Sequence, residues 1–150
     1  MPELNAMPAT RRAHADRIRL IRNATRGTYS QANDEITWWE QQQWWMKTEG
    51  KRLAWLYSDE TGIVGFGVLL LQDDGYWTTT VGVLPEHAGK GYGKSITHDL
   101  VVNAPGPCRA MALKSNPGGV KVHDTERDWD MVDGPDERYV YFKTKVGVPA

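Results

Sequence analysis

The sequence predicts an α/β (α+β) fold in a single domain spanning residues 1–150: a mixed, mostly antiparallel, twisted sheet of about six or seven strands flanked by helices. Three observations carry that expectation. Consecutive apolar and aromatic runs in the first half are separated by short clusters of turn residues, which implies strands joined as an antiparallel meander. A glycine-rich stretch, AGKGYGKS at 88–95, opens a helical pattern at mid-chain. Two short runs near the end flank DGPD at 133–136 and read as a closing hairpin. A chain of 150 residues suits one buried core rather than two.

Residues 10–24 set Ala13, Ile18 and Ile21, with Leu20, on a helix-like stripe among arginines. A second helix is predicted over 33–50, with Asn33 or Asp34 as its cap, Glu35 in the first turn, Lys47 in the last and Gly50 just past the end. It carries Trp38, Trp39, Trp44 and Trp45. The period then changes. RLAWLYS (52–58) and IVGFGVLLL (63–71) read as strands across the turn cluster DETG, and YWTTTVGV (76–83) follows across QDDG. A helix from about Gly91 to Asn103 is stopped by APGP at 104–107. CRAMALK (108–114) reads as a further strand, NPGGVKVHDTE (116–126) as a short helix, and WDMV (129–132) with ERYVYFKTKV (137–146) as the hairpin. No internal repeat or low-complexity linker interrupts the pattern.

The net charge of −1 creates no bulk field that would draw in nucleic acid or an anionic membrane. Charge is nonetheless uneven: Arg11, Arg12, Arg17, Arg19, Arg22 and Arg26 lie near the start, and Asp124, Glu126, Asp128, Asp130, Asp133, Asp136 and Glu137 near the end. Two solvated faces account for that distribution. Cys108 is the single cysteine, so the chain has no intrachain disulfide and no Cys-based zinc site, and no metal is expected. No apolar run approaches the length of a membrane span and the first residues lack a signal-peptide core, so a soluble, cytoplasmic protein is expected.

The stretch at 88–95 fits two phosphate-binding patterns. As [AG]-x-x-x-x-G-K-[ST] it is a nucleotide loop with Lys94 and Ser95 in the last two places; as alternating glycines after VLPEH it is a loop for a coenzyme pyrophosphate. A nucleotide loop follows directly on a buried strand and is succeeded by several parallel strands. Here residues 84–87 intervene, about 55 residues remain after Ser95, and the next strand ends in Lys114 rather than an aspartate. The coenzyme reading uses every element.

Three antiparallel strands, a V-x-P step, a glycine loop opening a helix, a further strand, an Asn-Pro-initiated helix and a final hairpin together resemble the GNAT N-acetyltransferase superfamily over nearly the whole chain. The resemblance is most specific in VGVLPEHAGKGYGKSITHDL, residues 81–100. It implies a coenzyme loop between the fourth strand and the third helix, with acetyl-CoA as co-substrate, its pyrophosphate on backbone amides of Ala88, Gly89, Lys90, Gly91, Tyr92, Gly93 and Lys94. The family's loop begins with Arg or Gln, where this chain has Ala88; His87, Lys90 or Lys94 would compensate, while Lys90 and Lys94 also read as solvated helix-start residues. Val81, Gly82 and Val83 would offer a strand edge to the pantetheine arm, Gly82 also being a candidate for a bulge. Asn116 matches the family's coenzyme-contacting asparagine, although Asn-Pro is equally a helix initiator. His123 stands where the family has the tyrosine that protonates the departing thiolate; a surface histidine is the plain alternative.

The acceptor would be a primary amine, most simply a small molecule such as an amino sugar. The strand TTT at 78–80 lacks the family's carboxylate, so Thr79 or Thr80 would at most hold a water, and proton removal falls to His123, Glu35 or Glu40. Trp38 and Trp45, seven apart on one helix face, would line the acceptor site, or the indoles are core and a homodimer contact. Readings of another class are an enzyme of this fold that modifies a nucleic-acid base, arginines on phosphate and tryptophans stacking, and a non-catalytic CoA-binding module.

Overall fold

A computed structural model describes residues 2–26 and 34–145. The proposed cap Asn33 and the residues before it at 27–32 lie outside the described set. Within that set, seven strands form one sheet in the order β1-β2-β3-β4-β5-β7-β6. The strands are β1 (Asn5–Pro8), β2 (Arg52–Asp59), β3 (Gly62–Leu71), β4 (Trp77–Val83), β5 (Cys108–Leu113), β6 (Trp129–Val132) and β7 (Tyr139–Thr144). The helices are α1 (Arg12–Ala24), α2 (Trp38–Lys47), α3 (Tyr92–Asn103) and α4 (Pro117–Lys121). All neighbours pair antiparallel except β4 and β5. β1 has no counterpart in the sequence reading. Its four residues are all exposed and it ends in Pro8, so it carries no alternation; it is an edge strand held by β2.

Strand alternation divides the core into two layers. Ala54 and Leu56 of β2 with Val64, Phe66 and Val68 of β3 face one way, and most of them pack with Ala15, Ile18 and Ile21 of α1 and Trp45 of α2. Tyr57, Leu69, Cys108, Ala112 and Phe142 face the other way, against Ile96, Leu100 and Val101 of α3 and Trp129. The α1 stripe is therefore Ala15–Ile18–Ile21, with Leu20 left exposed.

Helix α2 starts later than predicted, because Thr37 and not Asp34 caps it. Thr37 Oγ1 accepts from the Glu40 amide at 3.1 Å, while Glu40 Oε1 accepts from the Thr37 amide at 3.3 Å and its hydroxyl at 2.9 Å. Two buried glutamines tie this helix to α1: Gln41 Nε2 donates to Ala15 O at 3.0 Å and Gln42 Nε2 to Arg12 O at 3.2 Å. Helix α4 is shorter than the predicted 116–126, and the residues after Lys121 run as turns to β6.

Candidate active site

The single parallel junction of the sheet is very short. β4 and β5 share only the pairs Trp77↔Cys108 and Thr78↔Arg109. β3 pairs with β4 through Val83, and β7 with β5 through Leu113, so both strands continue while no longer pairing with each other. The result is a wedge in the sheet, open at the carboxyl ends of β4 and β5. Val81 and Val83 line its α3 side, and Gly82 between them is buried. The β3–β4 register runs without a shift through Gly82, so that glycine marks no bulge; the one register shift of the β2–β3–β4 meander lies between Tyr57 and Ser58.

The glycine loop sits at the wide end of this wedge. After β4 a single 3-10 turn, Pro85–His87, is closed by the Ala88 amide donating to Pro85 O at 3.1 Å, so Ala88 is not an available donor. Gly89 and Gly91 both take φ of 80°, a region that side-chain-bearing residues avoid, and Gly91 is the N-cap of α3. Gly93 has a different reason to be small: a Cβ there would come within 2.9 Å of Val122 Cγ1. Among the described residues, none of the amides of residues 89–94 donates to another protein group. Six backbone donors at a helix N-terminus form a cradle for an anion.

On the α1/α2 face a cleft of about 730 Å³ opens beside the wedge. Trp44, Glu40 and Arg22 come from the helices, Thr78 and Thr80 from β4, Met111 from β5, Tyr141 from β7 and Asp133 from the β6–β7 turn. Tyr141 is fixed there by its hydroxyl, which accepts from the Asp136 amide at 3.2 Å.

A model of the Acetyltransferase (GNAT) family matches residues 18–128, from α1 to the segment before β6. The chain belongs to the GNAT acetyltransferase family. No curated protein matches its sequence. Several solved structures share its fold at low identity. The yncA protein of Salmonella typhimurium, solved with acetyl-CoA, has a TM-score of 0.77 at 13% identity, covering 99% of this chain and 97% of its own. A proposed phosphinothricin N-acetyltransferase gives 0.72 at 14%, covering 95% and 96%. The spermidine N-acetyltransferase of Vibrio cholerae, in complex with CoA and spermine, gives 0.70 at 16%, covering 94% and 92%.

Within this GNAT fold the residues singled out from the sequence fall in different places. Asn116 caps α4, its Oδ1 accepting from Gly119 N at 3.3 Å, and a Cβ on Gly119 would meet Asn116 Nδ2 at 2.9 Å. His123 follows α4 but stacks on Phe142 at 4.3 Å and meets the edge of Trp129 at 5.0 Å. Its Nδ1 lies 3.0 Å from Gly119 O, so Nδ1 carries the proton and donates. Burial pushes its pKa down to about 4, outweighing the opposing backbone hydrogen bonds. The pKa is thus moved away from the ordinary value near 6.5, and the fold favours the neutral imidazole.

Thr79 pairs with Leu69, whose side chain is in the α3-side core, whereas Thr80 pairs with Val68 in the α1/α2 layer. Thr78, Thr79 and Thr80 all line the cleft, and alternation turns the Thr80 side chain to its α1/α2 face. Trp45 is 6% exposed in the core beneath Arg52, whose guanidinium lies 3.4 Å from its ring, and Trp38 is exposed; Trp44 is the indole on the cleft wall. Sequence reasoning thus missed Trp44, Arg22 and Tyr141. Neighbouring indoles at 44 and 45 differ by about 100° around the helix, so one error of phase exchanges core for cleft. No helix among the described residues is long and apolar enough to cross a membrane.

Proposed function

We propose that this GNAT member is an acetyl-CoA-dependent N-acetyltransferase acting on a small primary amine. The observation that carries this reading is the wedge between β4 and β5, with free amides at one end and a cleft on one face. The amides of residues 89–94 would hold the coenzyme's diphosphate, and the unpaired β5-side edge of β4 beyond Thr78 would pair with the pantetheine arm as a strand would. The thioester then lies in the wedge, within reach of an amine in the cleft.

The amine must be neutral to attack. Glu40, on the cleft wall, takes the ammonium proton through a water held by Thr80. The nitrogen then bonds to the thioester carbonyl carbon, gives its second proton to water, the C–S bond breaks, and the CoA thiolate leaves. With His123 neutral and tied to Gly119 O, that thiolate takes its proton from solvent.

The acceptor we favour carries a ring, as an amino sugar does, because Trp44 and Tyr141 present flat walls to the cleft. A polyamine suits it less: Arg22, Arg109 and Lys143 line the cleft against Glu40 and Asp133. A thiol-release assay with acetyl-CoA across amino sugars, aryl amines, amino acids and polyamines tests the assignment. Turnover confined to polyamines would overturn the acceptor class, and failure of calorimetry to detect CoA binding would overturn the reading entirely.

A further inference from the structure

We propose that Asp59, the last residue of β2, is the positioning residue of the diphosphate cradle, clamping it through Tyr92, beside whose ring Lys90 is placed to supply the cation this chain lacks at Ala88. The inference rests on the functional reading above and names a residue outside the loop.

Asp59 follows the register shift between Tyr57 and Ser58, an irregularity that re-aims the end of a strand. Its side chain is only 4% exposed. Oδ1 accepts from the Thr61 amide at 2.8 Å and from the Thr61 hydroxyl. Oδ2 accepts from the Tyr92 hydroxyl at 2.6 Å, reaching the first residue of α3. His87, on the other flank of the loop, places Nδ1 3.9 Å from the same oxygen. The carboxylate thus holds the α3 end of the segment whose amides are free by a hydrogen bond, and lies near His87 at its other end.

Lys90 stands between the two left-handed glycines. Its ammonium donates to His87 Nδ1 at 3.1 Å and lies 5.8 Å from the centre of the Tyr92 ring, so both of its supports are groups that Asp59 faces. The hydrogen bonds from Thr61 and Tyr92 hold the Asp59 carboxyl well below the usual carboxylate range, so it stays an acceptor throughout working pH. The end of β2 thereby fixes the start of α3, adding to the loop's own closures, the Ala88 amide on Pro85 O and the Ser95 amide on Gly91 O. The missing Arg or Gln is replaced by a lysine that is already oriented before ligand arrives, which lowers the ordering cost of binding.

The test uses the full chain, with CoA binding by calorimetry and acetylpantetheine, which lacks the diphosphate, as the alternative acyl donor. Asp59→Asn should weaken CoA roughly tenfold, as expected for loss of a charge-assisted hydrogen bond. Tyr92→Phe should weaken it severalfold, and the double variant should be no worse than Asp59→Asn. Lys90→Gln should weaken CoA and reduce the salt dependence of its binding. In each of them kcat/KM should fall further with acetyl-CoA than with acetylpantetheine. Equal losses for CoA and acetylpantetheine, or variants that bind CoA as the parent does, would overturn the clamp. If Asp59→Asn does not fold, Tyr92→Phe and Lys90→Gln decide the matter alone. A parent that fails to bind CoA overturns the functional reading itself, which keeps the two failures distinct.

Discussion

On the α3 face the proposed coenzyme end works through backbone: six amides of residues 89–94, two left-handed glycines and an unpaired strand edge. On the α1/α2 face the cleft works through side chains brought from α1, α2, β4, β5 and β7: Arg22, Trp44, Thr80, Met111 and Tyr141. The first region is contiguous in sequence and has little freedom to vary, because a phosphate asks the same thing of any backbone. The second is assembled from five elements, and any of those side chains can change without disturbing the fold. A shared donor and a divergent acceptor need this division of labour.

The sharpest way to break the contrast is Gly91→Glu. It forces a side chain into a φ of 80° and sets a negative charge beside the cradle, so CoA binding should fall more than 100-fold by calorimetry. Binding at parental strength would remove the loop from the coenzyme site. Trp45→Ala should cost about 3–5 kcal/mol of stability through the cavity it leaves, read as a lower Tm, while kinetics of the folded fraction stay unchanged. Trp44→Ala should do the reverse, raising acceptor KM roughly tenfold with CoA affinity and Tm nearly intact. A rise in acceptor KM in the Trp45 variant and not the Trp44 variant would reverse the assignment of the cleft wall.

His123 tests the boundary between the two regions. Its folded pKa of about 4 lies below the ordinary histidine value near 6.5, so the neutral form is the one the fold favours. The associated stability is fully present above pH 6.5 and is lost as pH falls towards 4, up to about 3 kcal/mol. His123→Phe, which preserves the stack on Phe142, should flatten that acid limb of the stability curve and leave the pH profile of kcat near 6.5 unaltered. A kcat limb at that pH, abolished by the substitution, would restore His123 to the chemistry. The smallest effect is expected at Trp38, exposed at the start of α2: its replacement by alanine should shift stability by no more than about 0.5 kcal/mol.

Sequence reasoning did best where the requirement is local. The antiparallel meander, the glycine loop and α3 follow from turn residues, alternation and a helix start, all readable within a few positions. The Thr37–Glu40 capping box was legible too, as a threonine three residues before a glutamate, and would have moved the start of α2 to Trp38. Residues set by phase were not legible: Trp45 and Trp44 differ by one position, and only the packing partner decides which is inside. His123 was unreadable for a further reason, since Phe142 and Trp129, the rings that bury it, come from the closing hairpin. β1 was invisible because an exposed four-residue edge has no pattern of its own.

The two-pair junction between β4 and β5 has a thermodynamic consequence. It joins a half-sheet of β1, β2, β3 and β4 to one of β5, β7 and β6, with few ladder bonds across the seam. What joins the halves is chiefly α3, which packs on Tyr57 and Leu69 of one and on Cys108, Ala112 and Phe142 of the other. On the proposed reading a pantetheine arm lying along β4 would add a second span, so that the donor substrate would also act as a missing structural member. Saturating CoA should slow amide hydrogen exchange in β5 and β7 as well as in the glycine loop.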